Sequence, residues 1–263
     1  MSAMGGDHIH CSGALYAPMG DKRRTGRENA AVVADRDALA VIVAARNEAD
    51  SVGATLAALR EAFPGASLWL ADDASTDGTS EAAMAAGAQV VSRGRPHGKG
   101  ANVTAAAEAA LSGEPTPAVV LLCDGDLGAS AARLAPLVEA VRHGECDLAV
   151  ASFSRRVGGG FGFALGFARW AIRRLCGLET KAPISGQRAI RVEALRATLP
   201  FAAGYGMEIG MTVDAVRAGY RVREYELDLE HRATGRSPSG FLHRGRQLAD
   251  FGRAYLSRRR GRS

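Results

Sequence analysis

The chain has 263 residues, 47% of them hydrophobic, and a formal net charge of +5. That composition excludes a disordered polymer and is enough to bury a sizeable core in one large α/β domain. No run approaches the ~18 apolar residues of a spanning helix, and no basic segment followed by an apolar run opens the chain, so the expected location is cytoplasmic.

Residues 1–37 show no sustained periodicity and read as a disordered extension; His8, His10 and Cys11 fall within it and are not taken as a metal site. The remaining cysteines, Cys123, Cys146 and Cys176, lie far apart without the paired spacing of zinc or redox motifs. The expected domain covers 38–240. It opens with an apolar, β-branched strand at 39–44, followed by a helix capped by Ser51. Strands at 67–71, 89–92, 118–123 and 147–152 then alternate with helices at 79–86, 101–111 and 131–142. This alternation predicts a parallel, doubly wound sheet with ligands at the carboxyl edge of its strands. A glycine-rich segment at 158–166, a mixed region at 184–191, a helix at 207–218 and a strand at 221–229 follow. Residues 241–263 form a basic helix and tail with Phe241, Leu248, Phe251 and Tyr255 at helical spacing. From His231 onward there are nine arginines against one acid, Asp250, a balance that suits a phosphate-bearing partner or an anionic membrane surface.

Polar clusters recur just after the strands. Asp124-Gly125-Asp126 follows the buried strand 118–123, and two carboxylates one residue apart make a hard-oxygen site for Mg²⁺ or Mn²⁺. Asp72 and Asp73 follow the second strand, where a carboxylate can accept from a base imide or a ribose hydroxyl, while Ser75, Asp77 and Gly78 read as turn and cap residues. Lys99 lies between two glycines ahead of the helix 101–111, whose N-terminal amides favour an anion. Neither a GxxxxGK[ST] loop nor a GxGxxG turn after the first strand is present, which argues against ATP hydrolysis and dinucleotide-dependent redox chemistry. Glu208 at a helix start and the lone His231 have, by themselves, bland readings as a dipole partner and a surface residue.

In order and spacing, VIVAARNEADSVGATL, LADDASTDGT, HGKGANV and LLCDGDL resemble GT-A fold glycosyltransferases of the family 2 type, over residues 39 to about 130. The resemblance implies a Rossmann-like, mostly parallel sheet flanked by helices, and sugar transfer from a UDP- or GDP-sugar. It places Ala45, Arg46, Glu48 and Asp73 in the nucleoside pocket with Asp72 beside them, Lys99 on the nucleotide, and Asp124, Gly125 and Asp126 around the metal and diphosphate. PFAAGYGMEIGMTVDAVRAGY followed by EHR is similar to glucosyl-3-phosphoglycerate synthases, which are retaining enzymes of the same fold. That similarity makes His231 a metal ligand with Asp126 and sets Tyr205 and Glu208 near the reacting sugar, Glu208 as a catalytic group alongside Asp126. Where those synthases hold the acceptor phosphate with arginine and threonine, this chain reads VGGGFGFALGFARW (157–170), which argues against phosphoglycerate. ISGQRAIR resembles the SGxR segment of polyprenyl-phosphate sugar transferases, which implicates Gly186 and Arg188 in substrate binding. The expected acceptor is therefore a small molecule or a lipid phosphate reached at the inner membrane surface through the basic C-terminal helix. Nucleic acid is not an expected partner, and a homodimer is left open. Two rival readings are a sugar-1-phosphate nucleotidylyltransferase, whose glycine-rich N-terminal signature is missing, and a non-catalytic nucleotide-sugar binding protein, against which the intact acids speak.

Overall fold

The structure is a computed structural model that describes residues 35–153, 162–229 and 239–260. The first strand, β1 (Asp35–Ala45), is followed by α1 (Ala49–Ala62), β2 (Ser67–Asp72), α2 (Thr79–Ala85), β3 (Gln89–Ser92), α3 (Lys99–Leu111) and β4 (Pro117–Asp124). A 3-10 segment, Gly128–Leu134, runs into α4 (Ala135–Arg142), after which come β5 (Leu148–Phe153), α5 (Gly162–Cys176), β6 (Arg188–Arg191) and α6 (Val192–Thr198). A 3-10 turn at Gly204–Gly206 leads into α7 (Met207–Arg217), then β7 (Val222–Leu227) and α8 (Ser239–Arg260).

The seven strands form one sheet in the order β3-β2-β1-β4-β6-β5-β7. Every pairing is parallel except the two made by β6, which lies antiparallel to both β4 and β5. The period-2 alternation of β1 sends Leu39, Val41 and Val43 to one face, where they pack with Val52, Leu56 and Leu59 of α1 and Leu137 and Val138 of α4. Ala40 and Ile42 face the other way, against Val103 and Ala107 of α3 and Met207 and Met211 of α7. A smaller cluster joins Ala168, Ile172 and Leu175 of α5 to Ile209 and Val213 of α7 and Phe251 of α8. Burying a side chain such as Phe251 contributes about 1.5–3 kcal/mol, so α8 is held on the domain by its own apolar face. Of the expected α8 stripe, Phe251 is buried and Tyr255 half-buried, whereas Leu248 points outward; the side chain of Phe241 lies outside the described set.

Several boundaries differ from the sequence expectation for local reasons. Glu48, not Ser51, is the N-cap residue of α1, and Ser51 in the first turn donates to the Glu48 carboxylate at 2.8 Å. The expected helix 131–142 is a 3-10 segment up to Leu134, with a proline in the first turn of α4 favouring a fresh helix start. Lys99 lies inside the first turn of α3 rather than ahead of it, because Gly98 adopts a φ of +82° and brings the chain abruptly into the helix.

Candidate active site

Register brings the polar clusters level. Ala44 pairs with Asp124 on one side of β1 and Ala45 pairs with Asp72 on the other, so β1, β2 and β4 end together at one edge. The two outer loops are stitched to each other there. Asn47, at a φ of +55° that asparagine tolerates, accepts from Thr76 N at 2.9 Å through its side chain, and its own backbone N–H donates to Ser75 Oγ at 2.9 Å. Glu48 N donates to Thr79 Oγ1 at 2.8 Å and Ala49 N to Asp77 Oδ2 at 3.3 Å. The hydrogen bond from Thr79 holds the Asp77 carboxyl below its usual range.

The adjacent acids do different jobs. Asp72, buried, accepts from Ser75 N at 3.1 Å and Ser80 Oγ at 3.2 Å, which gives its carboxylate to the 73–80 turn rather than to an open nucleoside face. Asp73 Oδ1 accepts from His97 N at 2.7 Å, Gly98 N at 3.0 Å and the Asn102 amide, fastening β2 to the start of α3. Its Oδ2 lies 3.6 Å from Arg46 Nη1, and Arg46 reaches into solvent with half of its side chain exposed. Arg46, Glu48 and Asp73 therefore share one rim, with buried Ala45 beneath them.

At the centre, Lys99 Nζ lies 2.7 Å from Asp124 Oδ1 and 3.0 Å from Glu208 Oε1, with its side chain only 21% exposed. Burial alone would favour the neutral amine, but the Asp124 and Glu208 carboxylates outweigh it and push the Lys99 pKa up, so the ammonium is fixed in place. Glu208 sits in the first turn of α7 with a side chain 5% exposed, where the helix dipole also favours a carboxylate. Gln187 Nε2 donates to the second Asp124 oxygen at 2.8 Å. Gly186 closes this cluster: a Cβ there would lie 2.6 Å from Lys99 Nζ and 2.7 Å from Asp124 Oδ2, so only glycine lets the 184–187 turn press on the ion pair. Tyr205 is half-buried beside it; burial pushes its phenol pKa up, Lys99 opposes, and Glu208, Asp250 and Asp124 add to the rise. Its backbone N–H donates to Asp250 Oδ2 of α8 at 3.2 Å.

Gly125 and Asp126 form the turn after Asp124. Gly125 N bonds to Ala44 O at 3.0 Å, and Thr55 of α1 clamps the turn by donating to Gly125 O at 2.8 Å and accepting from Gly128 N at 2.9 Å. Asp126 is half-buried within it. Arg188, by contrast, does not reach the cleft. Its guanidinium is wholly enclosed, donating to Ser185 O at 2.7 Å, Thr212 Oγ1 at 2.9 Å and Pro183 O at 3.3 Å. Burial pulls its pKa down to about 10 against the opposing effect of Glu208 and Glu224. Arg188 thus sets the shape of the SGQ turn from behind. Gln187, Asn102 and Thr55 are the neighbours that the sequence reading did not single out; Gln187 lies inside the ISGQR segment, and Asn102 is one helical turn from Lys99.

As to a metal, the carboxylates of Asp124 and Asp126 are hard-oxygen donors of the right chemistry for Mg²⁺ or Mn²⁺, and the glycine at 186 keeps a side chain out of the space beside Asp124. Among the described residues no group of three or more His, Cys, Asp and Glu side chains is arranged to hold an ion, and His231, the expected additional ligand, lies outside them. The described part of the site is thus an anion-rich pocket with a fixed ammonium in it, able to orient a diphosphate and keep acids close to a reacting sugar.

A mostly parallel sheet flanked by helices on both faces, whose β4 ends in an Asp-Gly-Asp turn beside a lysine clasped between two acids, defines a nucleotide-sugar transferase of the GT-A type. Residues 40–199 match the family described as Glycosyl transferase family 2, and the chain belongs to that family and is a glycosyltransferase. It is 32% identical over 212 residues, 74% of this chain and 85% of the relative, to an undecaprenyl-phosphate mannosyltransferase from Micrococcus luteus. Among solved structures, it matches glucosyl-3-phosphoglycerate synthase from Mycobacterium tuberculosis in complex with Mn²⁺, UDP-glucose and phosphoglyceric acid, with a TM-score of 0.67, 26% identity, and coverage of 89% of this chain and 85% of that one. The complex of the same synthase with Mn²⁺, UDP-glucose and glycerol 3-phosphate matches with a TM-score of 0.66, 26% identity, and coverage of 90% and 86%. No helix among the described residues is long and apolar enough to cross a membrane.

Proposed function

We propose that this protein transfers a sugar from a nucleotide diphosphate donor, UDP-linked in the first instance, to the phosphate of a lipid acceptor. The single observation that carries the donor half is the Lys99 ammonium fixed between Asp124 and Glu208 at the edge where β1, β2 and β4 end. Lys99 and the first amides of α3 would receive the diphosphate, and Arg46, Glu48 and Asp73 on the rim would receive the nucleoside. The relatives bound to UDP-glucose support the choice of donor base.

A divalent cation would be held by Asp126 and His231, with Asp124, whose two oxygens accept from Lys99 and Gln187, oriented behind them. When bound, it would supply charge neutralisation on the departing diphosphate. The chain's own residues do the rest: Lys99 adds positive charge, Gly186 and Gln187 hold Asp124 in register, and Tyr205 and Glu208 line the sugar. A phosphate acceptor is already an anion and needs no strong base, whereas a neutral hydroxyl acceptor would need Glu208 to take its proton. The lipid-phosphate reading is favoured by the mannosyltransferase relative and by Phe163, solvent-facing in the apolar segment that stands where the similar synthases carry arginine and threonine.

The test is nucleotide release from UDP- and GDP-sugars with Mn²⁺ or Mg²⁺, with undecaprenyl phosphate, phosphoglycerate or no acceptor. Release stimulated by the lipid phosphate and lost in Asp126→Ala is the expected result. Stimulation by phosphoglycerate alone would replace the acceptor, and no binding of any nucleotide sugar would overturn the reading.

A further inference from the structure

We infer that the joined outer face of α5 and α8 is a docking surface for an anionic lipid bilayer. On α5, Phe163, Phe167, Trp170 and Arg174 recur at the spacing of one helical stripe, and on α8 Leu248, Gly252, Tyr255 and Arg259 repeat that spacing. The stripes meet side by side: the Trp170 and Tyr255 rings lie 5.0 Å apart, and Phe167 lies 5.6 Å from Trp170 and 6.3 Å from Tyr255. Arg217 donates to Leu175 O at 3.2 Å and to Arg258 O at 2.8 Å, so the C-terminal ends of both helices, with Arg174 and Arg259, lie together.

Exposure sets this face apart. Phe163 is 92% exposed, Trp170 49%, Leu248 41% and Leu256 52%, and Met84 is the one other exposed large hydrophobic residue among the described residues. The charge on the two helices is almost all of one sign. Helix α5 contains no acid and α8 contains Asp250 alone, which pairs with Arg253 at 3.0 Å. Exposed Arg169 donates to Lys181 O at 2.7 Å, and exposed Arg173 lies 3.5 Å from Glu179. Arg174 and Arg259 make no ion pair within 4.0 Å among the described residues.

Aromatic rings at headgroup depth, leucines at the acyl boundary and guanidinium groups on lipid phosphates are what such a face offers. A second copy is the less suitable occupant, because a two-fold contact would set the arginines against their own images. The catalytic cluster lies on the opposite flank of α8, where Asp250 receives the Tyr205 N–H. A bilayer docked on this face would bring lipid phosphates to the same helix that contacts the cluster, so the inference deepens the lipid-phosphate reading and rests on it for its purpose.

The experiment uses the full chain without donor or acceptor, so its outcome is separable from that of the transfer assay. Trp69→Phe, on β2 one strand in from the sheet edge, leaves Trp170 as the sole tryptophan reporter; co-sedimentation of the unaltered chain is the parallel measurement. Vesicles of phosphatidylcholine with phosphatidylglycerol should bind the protein and blue-shift Trp170, and vesicles of phosphatidylcholine alone should bind far more weakly. Arg174→Glu with Arg259→Glu should weaken binding about thirtyfold. Phe163→Ser with Leu256→Ser should diminish the blue shift, and both pairs should leave the Tm of the free protein close to that of the parent. Equal binding to neutral and anionic vesicles, unchanged binding of the double arginine variant, or a dimer that these substitutions dissolve and vesicles do not compete would each overturn the inference.

Discussion

Lys99 is the residue on which the site turns, because two carboxylates depend on its charge. Replacing it with methionine leaves Asp124 and Glu208 facing each other without a cation, and nucleotide release should fall about a hundredfold or more in kcat. The pH dependence has a defined sign. A pKa raised above its ordinary 10.5 means that the stabilising charge is fully present below that value and is lost only as pH rises through the higher folded-state value. The Tm difference between the parent and Lys99→Met should therefore stay constant from about pH 6 to 9 and shrink only above the ordinary lysine range. A difference that fades between about pH 7 and 9 would place the ammonium in the wrong environment. At this scale the sequence placed Asp124 at the end of a strand and Lys99 and Glu208 at helix starts, and the structure brings the three together. It did not distinguish Asp72 from Asp73, because which of two neighbouring acids meets a turn hydroxyl and which meets the next helix depends on register across β2 and α3. Nor did it show that Arg188 is enclosed, since a charged side chain is assigned to a surface until the carbonyls that receive it are known.

Helix α3 and the segment before α7 approach so closely that one hydrogen atom decides their spacing. A Cβ on Gly100 would lie 1.9 Å from Ala202 O, a contact that only backbone displacement relieves. Gly100→Ala should cost about 1–3 kcal/mol, read as a lower urea midpoint with an unchanged m-value, and should weaken turnover by moving Tyr205 and Glu208 away from Lys99. Arg188→Met tests β6 in the same way: the Ser185 and Pro183 carbonyls lose their donor, and about 1–3 kcal/mol of stability should go with it. Strong period-2 and period-3.6 patterns made most of the first five strands and their helices readable. Strand β6 was read only as a mixed region, because four residues flanked by arginines carry no periodicity and its antiparallel place between β4 and β5 is a tertiary choice. The start of helix α5 fell within the glycine-rich segment read at 158–166, and α5 is helical because Ala168, Ile172 and Leu175 find apolar partners on α7 and α8.

Across the whole molecule, the sheet separates work between its two ends. Both faces of β1 and β4 are covered by helices, and the acids gather at the carboxyl edge, so a ligand there would bridge α1, α3, α7 and the β4 turn without entering the core. Such a ligand binds the folded chain alone and must stabilise it by mass action. At a hundredfold excess over Kd the gain is about 2.7 kcal/mol, which for a chain of this size corresponds to a rise in Tm of roughly 5–10 °C. UDP with Mn²⁺ should produce that rise, EDTA should remove it, and Asp126→Ala should abolish it while leaving the Tm of the unliganded protein within about two degrees of the parent. Asp124→Asn should retain part of the shift, because Lys99 can still donate to the remaining side-chain oxygen while the negative charge, and the second acceptor that Gln187 uses, are gone. A full shift with UDP alone, insensitive to EDTA, would assign diphosphate recognition to Lys99 and the α3 amides and leave the acids to the sugar. An equal shift in Asp126→Ala would remove that carboxylate from the nucleotide site.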